Sequence, residues 1–329
     1  MAEVTVAIPT YNGALYLEEC LESVINQTFP DIEIVVVDDC STDGTVIVVE
    51  KYAKLDNRIK IFRNKTRLGL VENWNKSIQY STGEWIKFLF QDDVLYESCI
   101  EKMLNAAGTT QRGVTGGFVV GERNFIIEDG VEDGLRHFYE NSVLTLKDVF
   151  GDSPRILPEE FSRAILEKGV GFNFIGEPTS VMMRREICFQ YSFFNQNLVH
   201  LCDLEYWTRI GTNQGLVYVP EIVIDFRVHS RSASAYNHAH NHFQLEYLDK
   251  IILLHDYLYH PHYFNLRKTP DSERILSHQL QHEIRNSAGR AQAFGDDRSE
   301  NMALFRSLAE IYPILKNTWM NPVFRKSNL

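Results

Sequence analysis

The sequence predicts an α/β fold: a mostly parallel central sheet with flanking helices, followed by a helical region at the C-terminus. Three observations carry this. Short β-branched runs alternate with longer amphipathic patterns over the first hundred residues. The polar and acidic residues of that stretch gather where the apolar runs end. Beyond about residue 236 strand patterns give way to helical ones alone.

In order, "EVTVAI" reads as a strand, "ALYLEECLESVINQ" as a helix and "IEIVVVDD" as a strand. "GTVIVVEKYAKL" then reads as a helix, "RIKIF" as a strand, "VENWNKSIQYS" as a helix and "EWIKFLF" as a strand. Such alternation implies right-handed crossovers and parallel strands, whose C-terminal ends share one rim where ligands bind. The loops at that rim are "PTYNG" (9–13), "DDCSTDG" (38–44), "RNKTRLG" (63–69) and "QDD" (91–93). From about 114 to 235 the pattern is mixed. "TGGFVVGERNFIIEDG" suggests a hairpin, "TSVMMRRE" a strand entering a helix, "LCDLEYWTRIG" a helix, and "LVYVPEIVIDFRVHS" two strands. The expected organisation is one domain over 1–235, divided near 113/114, and a helical appendage over 236–329.

A chain of 329 residues has room for a sizeable core. Its net charge of -11 argues against a nucleic-acid binder, because phosphate-backbone affinity needs clustered Lys and Arg. The start "MAEVTVAIPTYNG" lacks the basic and apolar regions of a signal peptide, and no 18-residue apolar run occurs, so the expected location is cytoplasmic. Five scattered cysteines without CxxC spacing fit reduced thiols.

Asp92 and Asp93 end the apolar run "EWIKFLFQDD". Adjacent carboxylates repel and are costly to desolvate, so they suggest a waiting cation or sugar hydroxyl. Taken alone, the pair favours a plainer reading, an acidic helix N-terminus. Asp38 and Asp39, which also follow a buried run and share the rim, weigh toward a site.

Taken together, "IPTYN", "VVVDDCSTDGT", Gly69 to Asn75, "GEWIKFLFQDD", "CDLEYWTRI" and "FRVH" resemble, in order and spacing, the GT-A glycosyltransferases, specifically the inverting family two, over roughly residues 3–231. The resemblance implies a Rossmann-like GT-A fold and transfer of a sugar from a nucleotide-diphosphate donor to an acceptor hydroxyl. The nucleotide-sugar half would be about 1–113 and the acceptor half about 114–235. Donor-binding residues by this resemblance are Pro9, Thr10, Tyr11, Asn12, Asp39, Arg67, Asn75 and Asp92. Asp39 would accept from a nucleobase imide, which favours a UDP-sugar. Tyr11 would pack on the base, Arg67 would meet the diphosphate or base, and Asp92 would touch ribose or sugar. Asp93 and His229 would hold Mn2+ or Mg2+, a hard cation suited to oxygen ligands and to charge growing on a leaving diphosphate. His229 reads equally as a polar residue ending a strand. The family often has Asp-x-Asp-Asp here, whereas this chain has Phe90-Gln91-Asp92-Asp93, so an aromatic replaces the first acid.

Asp203 in "LCDLEYW" aligns with the family's general base, with Glu205 as the backup. Similar enzymes act on glycan or lipid-linked acceptors in surface polysaccharide or glycolipid synthesis at the inner membrane face, so peripheral membrane contact is an expectation. The apolar stripes of the C-terminal helices are expected to pack on the catalytic domain or on a second copy. His238 with His242, and His278 with His282, have helical spacing but no third ligand, and read as polar helix faces. Two alternatives stay open: a nucleotidyltransferase, which the absence of a Gly-rich phosphate loop disfavours, and a binding protein that kept the fold.

Overall fold

The computed structural model describes residues 2–108, 115–169, 171–198, 200–232, 235, 246–290 and 300–318. The histidines at 238 and 242 and the last eleven residues lie outside them.

Strands β1 (Val4–Thr10), β2 (Ile32–Asp38), β3 (Ile59–Arg63) and β4 (Trp85–Phe88) are parallel. They are joined by helices α1 (Leu17–Ile25), α2 (Thr45–Ala53) and α3 (Leu70–Tyr80). β5 (Val94–Leu95) and α4 (Cys99–Gly108) follow, then β6 (Phe118–Ile127). Next come α5 (Asp133–Asn141), α6 (Leu146–Phe150), β7 (Arg155–Ile156) and α7 (Pro158–Lys168). β8 (Val181–Arg184), α8 (Arg185–Gln190), α9 (Cys202–Gln214) and β9 (Leu216–Val228) complete the sheet half. The sheet order is β3-β2-β1-β4-β8-β6-β9-β5, with β7 against β9. β8 is antiparallel to β4 and β6, and β5 is antiparallel to β9.

Both faces of β1 and β2 are covered, which is why every residue of the two strands is buried. Val4, Val6 and Ile8 pack with α1 and α2 on one side, while Ala7 faces the cluster on the other, as a two-residue period requires.

Two sequence expectations change. Residues 115–130 form no hairpin: β6 is one strand that pairs with β9, with register shifts at Gly121/Glu122 and Glu122/Arg123. "LVYVPEIVIDFRV" is likewise one strand. Its interruption at Pro220 is opposite the β6 irregularity, where a residue without an amide proton costs no ladder bond. A periodic signal broken by Gly or Pro reads the same for a turn and for a bulge, and only the distant partner decides.

Helices α10 (Glu246–Tyr259), α11 (Ser272–Arg290) and α12 (Glu300–Ile311) follow. Leu248, Ile251, Leu276, Met302 and Leu308 belong to the same buried cluster as Trp207, Phe161 and Phe88. The helical region therefore buries its stripes against the sheet half of its own chain. Among the described residues, no helix is long and apolar enough to cross a membrane.

Candidate active site

The four parallel strands deliver their C-terminal loops to one edge, and side chains stitch those loops together. Asn12 has φ 49°, in the left-handed region. Its amide proton reaches Ser41 Oγ at 2.9 Å and its Oδ1 accepts from Thr42 N–H at 2.8 Å. Asn tolerates that backbone and bonds locally, so it joins the first loop to the second. Gly13 N–H donates to Thr45 Oγ1 at 2.8 Å.

Asp39 is 2% exposed. Its Oδ1 accepts from Leu68 N–H at 2.7 Å and from Asn64 Nδ2 at 2.9 Å, and its Oδ2 accepts from Gly69 N–H at 2.8 Å. A carboxylate has about four acceptor positions, so these three bonds leave one on Oδ2. Asp39 thereby folds the 64–69 loop over the rim. That loop lays the exposed Arg67 guanidinium 4.1 Å from the centre of the Tyr11 ring. Pro9 and Thr10 are buried in β1, and Thr10 O accepts from Asp39 N–H at 2.9 Å.

Gln91 follows Phe90, the aromatic that stands in place of the family's first acid. Its carbonyl and amide both bond the Tyr11 main chain, so it is a strap across the first loop.

Asp92 and Asp93 point different ways. Asp93 is fully buried: Oδ2 accepts from Thr179 Oγ at 2.5 Å and Oδ1 from Arg227 N–H at 2.9 Å. Burial, with the neighbouring Asp92 charge, holds its pKa well above the usual carboxylate range. Asp92 is half-buried, and its Oδ2 lies 2.9 Å from His229 Nε2. In this structure His229 thus meets Asp92, not Asp93. Asp93 ties β4 to β9, and both of its oxygens are already accepting.

β9 explains why His229 arrives there. Residues 225, 227 and 229 share one face of an extended strand. Arg227 is buried beside His229: Nε donates to Asp92 O at 2.9 Å, and the guanidinium pairs with Glu19 at 2.6 Å and Glu128 at 3.4 Å. Tyr16 lies under both, with ring centre 4.7 Å from that of His229 and 4.9 Å from the Arg227 guanidinium. Its hydroxyl donates to Glu128 at 2.7 Å, and burial with that contact raises its pKa to about 12. The sequence reading missed Tyr16, Arg227 and Glu128. The i,i+2 spacing of Arg227 and His229 was the available signal.

Does this geometry suit a divalent cation? Asp92 Oδ2 and His229 Nε2 are a hard oxygen and an imidazole nitrogen, and 2.9 Å is the separation of adjacent ligands on an octahedral ion with bonds of about 2.1 Å. Among the described residues no group of three or more His, Cys, Asp or Glu could hold a metal. The pair fits an ion whose remaining ligands are water and phosphate.

Asn75 leaves the site. Its side chain is buried, donating to Phe194 O and accepting from Phe194 N–H, both at 2.9 Å. It fixes α3 to the loop before α9. Asn73, one face round the helix, donates to Val37 O at 3.0 Å and accepts from Asn64 at 2.9 Å, behind Asp39.

Asp203 stands in the first turn of α9, half-buried. Its Oδ1 accepts from Leu204 N–H at 2.7 Å and Oδ2 from Asn173 Nδ2 at 2.9 Å. Burial pushes its pKa up to about 7, against the Leu204 N–H bond and with help from the Glu177 charge. Glu177 is held by Arg123 at 2.8 Å. A carboxyl at that pKa is suited to accept a proton near neutrality. Glu205 is not a second base: it is 4% exposed, paired to Arg209 at 2.6 Å and bonded by the Tyr263 hydroxyl on the far side of α9.

The family model for glycosyl transferase family 2 matches residues 5–156. Asp203 and His229 lie beyond that segment. A Campylobacter jejuni protein, the GalNAc(5)-diNAcBac-PP-undecaprenol beta-1,3-glucosyltransferase, is 32% identical over 149 residues, which is 45% of this chain and 47% of that one. Among solved structures, Staphylococcus aureus TarS 1–349 in complex with UDP superposes with a TM-score of 0.54 at 16% identity, over 99% of this chain and 92% of that one. The mannosyltransferase PcManGT from Pyrobaculum calidifontis, in complex with GDP-Man and Mn2+, gives a TM-score of 0.53 at 20% identity, over 97% and 84%. At those identities the two structures establish the fold.

Proposed function

We propose that the chain is a GT-A glycosyltransferase, with its family two segment over residues 5–156, and that it moves a sugar from a UDP-sugar to an acceptor hydroxyl with inversion. The observation that carries the proposal is Asp203: a half-buried carboxyl with a pKa near 7 at the mouth of a helix, in a chain whose strand ends supply a nucleotide rim. In-line displacement needs a base on the face opposite the leaving group, and a carboxylate held half-ionised near neutral pH meets the requirement.

The nucleobase enters between the Tyr11–Arg67 stack and the Asp39 loop. The open acceptor position on Asp39 Oδ2 suits an imide N–H, which uracil has; the stack supplies a π-face and a positive charge. Asp92 and His229 hold Mn2+ or Mg2+. When bound, that ion neutralises charge on the departing diphosphate. The buried Arg227 keeps both ligands in place through Asp92 O and its own strand. Leu204 N–H and Asn173 orient the Asp203 carboxylate toward the acceptor.

The acceptor is a glycan or lipid-linked glycan hydroxyl, a class favoured by the similarity to an enzyme whose name specifies an undecaprenol-linked glycan. Assembly of surface polysaccharide or glycolipid, from the cytoplasmic side with peripheral contact to the membrane, is the setting this reading gives.

Asp203→Asn tests the reading. Turnover, followed as UDP release, should fall ~10²–10⁴-fold, the usual worth of a general base, while UDP binding by calorimetry stays unchanged. Asp39→Asn should instead weaken UDP binding. Wild-type turnover in Asp203→Asn would remove the base, and UDP affinity that survives Asp39→Asn would remove the nucleobase assignment.

A further inference from the structure

Among the described residues, the side chain that bonds Asp203 from outside its own helix is Asn173. Asn173 lies in the segment "GFNFIGE" between α7 and β8, thirty residues before the carboxylate. Its Oδ1 accepts from Ile175 N–H at 3.2 Å and from Gly176 N–H at 3.0 Å. Those two donors leave no ambiguity about which end of the amide is oxygen, so the NH2 group must be the end that reaches Asp203 Oδ2, at 2.9 Å, and Gly176 O, at 3.2 Å.

The turn that sets Asn173 is itself rigid. Gly176 has φ +98°, and a Cβ there would meet the Arg123 guanidinium at 2.5 Å, so neither the backbone nor the space admits another residue. Gly176 O also accepts from Trp207 Nε1 at 3.0 Å. Trp207 is fully buried on α9, the helix that carries Asp203. One turn thus grips α9 at two points, one through the indole and one through the carboxylate.

We propose that Asn173 is the positioning residue for the base: its amide fixes the direction of the Asp203 carboxylate and holds its charged form ready for the acceptor hydroxyl. The proposal rests on Asp203 being the base, and its test is chosen so that the two stand or fall separately. Since Leu204 N–H occupies Oδ1 and Asn173 occupies Oδ2, the carboxylate cannot rotate, and each oxygen keeps its remaining lone pair in a fixed direction. The charged and titratable groups facing it are Glu177, Arg123 and the Cys202 thiol. Of these Glu177 opposes ionisation and Arg123 favours it; Asn173 adds a neutral donor that favours it without bringing charge.

The discriminating variant is Asn173→Asp. It is isosteric, and its Oδ1 still accepts from Ile175 and Gly176, so the turn keeps those two bonds while an oxygen replaces the NH2 group facing Asp203 and Gly176 O. Asn173→Ala removes the contact without adding charge. The Asp203 titration is read directly from side-chain carboxyl carbon NMR on protein labelled at aspartate, assigned by the signal lost in Asp203→Asn. No donor or acceptor is needed. Asn173→Ala should raise the Asp203 midpoint by about one pH unit and Asn173→Asp by more, since a hydrogen bond to a charged group is lost in the first and a like charge is added in the second. Hydrolysis of UDP-glucose and of UDP-N-acetylglucosamine by water then tests the rate, with the acid limb of the pH profile moving by the same amount as the midpoint.

An Asp203 midpoint that stays put in both variants overturns the positioning role. A wild-type rate in Asp203→Asn together with a moved midpoint overturns the base and leaves the Asn173 contact standing.

Discussion

Gln91 grips the main chain of Tyr11 from both sides: Tyr11 N–H donates to Gln91 Oε1 at 2.9 Å, and Gln91 Nε2 donates to Tyr11 O at 3.1 Å. A Cβ at Gly13 would meet that Oε1 at 2.1 Å, so the strap also requires glycine two residues on. Only an amide can both accept and donate in this way. An acid at position 91 would set a carboxylate oxygen against the Tyr11 carbonyl.

Gln91→Glu is therefore expected to loosen the ring that stacks under Arg67 and to weaken UDP binding by about 3–10-fold, the worth of one ordinary hydrogen bond. Calorimetry with UDP measures it. Gln91→Asp, which adds an acid beside Asp92, should leave Mn2+ dependence no stronger than before; a gain in metal affinity would mean that position 91 faces the ion.

The two neighbouring aspartates should fail differently. Asp92→Ala and His229→Ala are each expected to abolish the extra thermal stabilisation that Mn2+ adds to UDP, with the melting temperature of the free protein little changed. Asp93→Ala leaves the Thr179 hydroxyl and the Arg227 amide without their acceptor and should cost about 1–3 kcal/mol for each buried group left unpaired. A thermal-shift series with UDP, Mn2+ and EDTA separates them. An Asp93→Ala protein of normal stability that has lost only the Mn2+ effect would return the metal to Asp93.

Asp203 links stability to pH with a definite sign. Its folded pKa, about 7, lies above the ordinary value near 4, so the folded state holds a proton that the unfolded state releases earlier. Its contribution favours the folded state below pH about 4 and is lost as pH rises through about 7. Asp203→Asn, which cannot ionise, should melt higher than wild type at pH 8 and lose that advantage at pH 5. An equal melting difference at both pH values would show that the carboxyl is not desolvated.

Glu205 is predicted to matter for the fold alone. Glu205→Gln leaves the buried Arg209 guanidinium without its counter-charge, which costs about 3–5 kcal/mol when one partner of a buried pair is removed. Urea unfolding measures the loss. If Glu205→Gln is as stable as wild type but inactive, it has a role in turnover that the packing of α9 does not provide.

The alternation of runs up to residue 88 was legible in the sequence because β1, β2 and β4 are buried on both faces and each helix on one, which are the patterns that composition records. The rim followed, since parallel topology sends every C-terminal loop to one edge. What could not be read was direction within the rim. Asp92 and Asp93 are adjacent in sequence and opposite in environment, because Asp92 lies in a turn closed by the bond from Asp93 N–H to Phe90 O, and the partners of Asp93 come from residues 179 and 227. Asn75 was assigned to the donor by its motif. Whether the face of α3 at 73 or at 75 looks toward Asp39 depends on how the helix is rotated, and its anchor is the distant Phe194. The Gln91 strap could not be read either, because its partner is the main chain of Tyr11 at the distant end of β1.

β9 leaves α9 on the acceptor side and runs back across the sheet, pairing with β6 and with β5, before setting His229 beside Asp92. The segment that matches the family model stops at residue 156, short of this strand. The rim is thus closed by a residue from beyond that segment, which does not complete the site on its own. Recombination that joins this N-terminal half to a foreign acceptor half must bring a final strand that restores three things together: the ladder to β5, the amide that binds Asp93, and the imidazole that meets Asp92. A junction placed after the second strand from the end would keep the appearance of both halves and lose the contact between them.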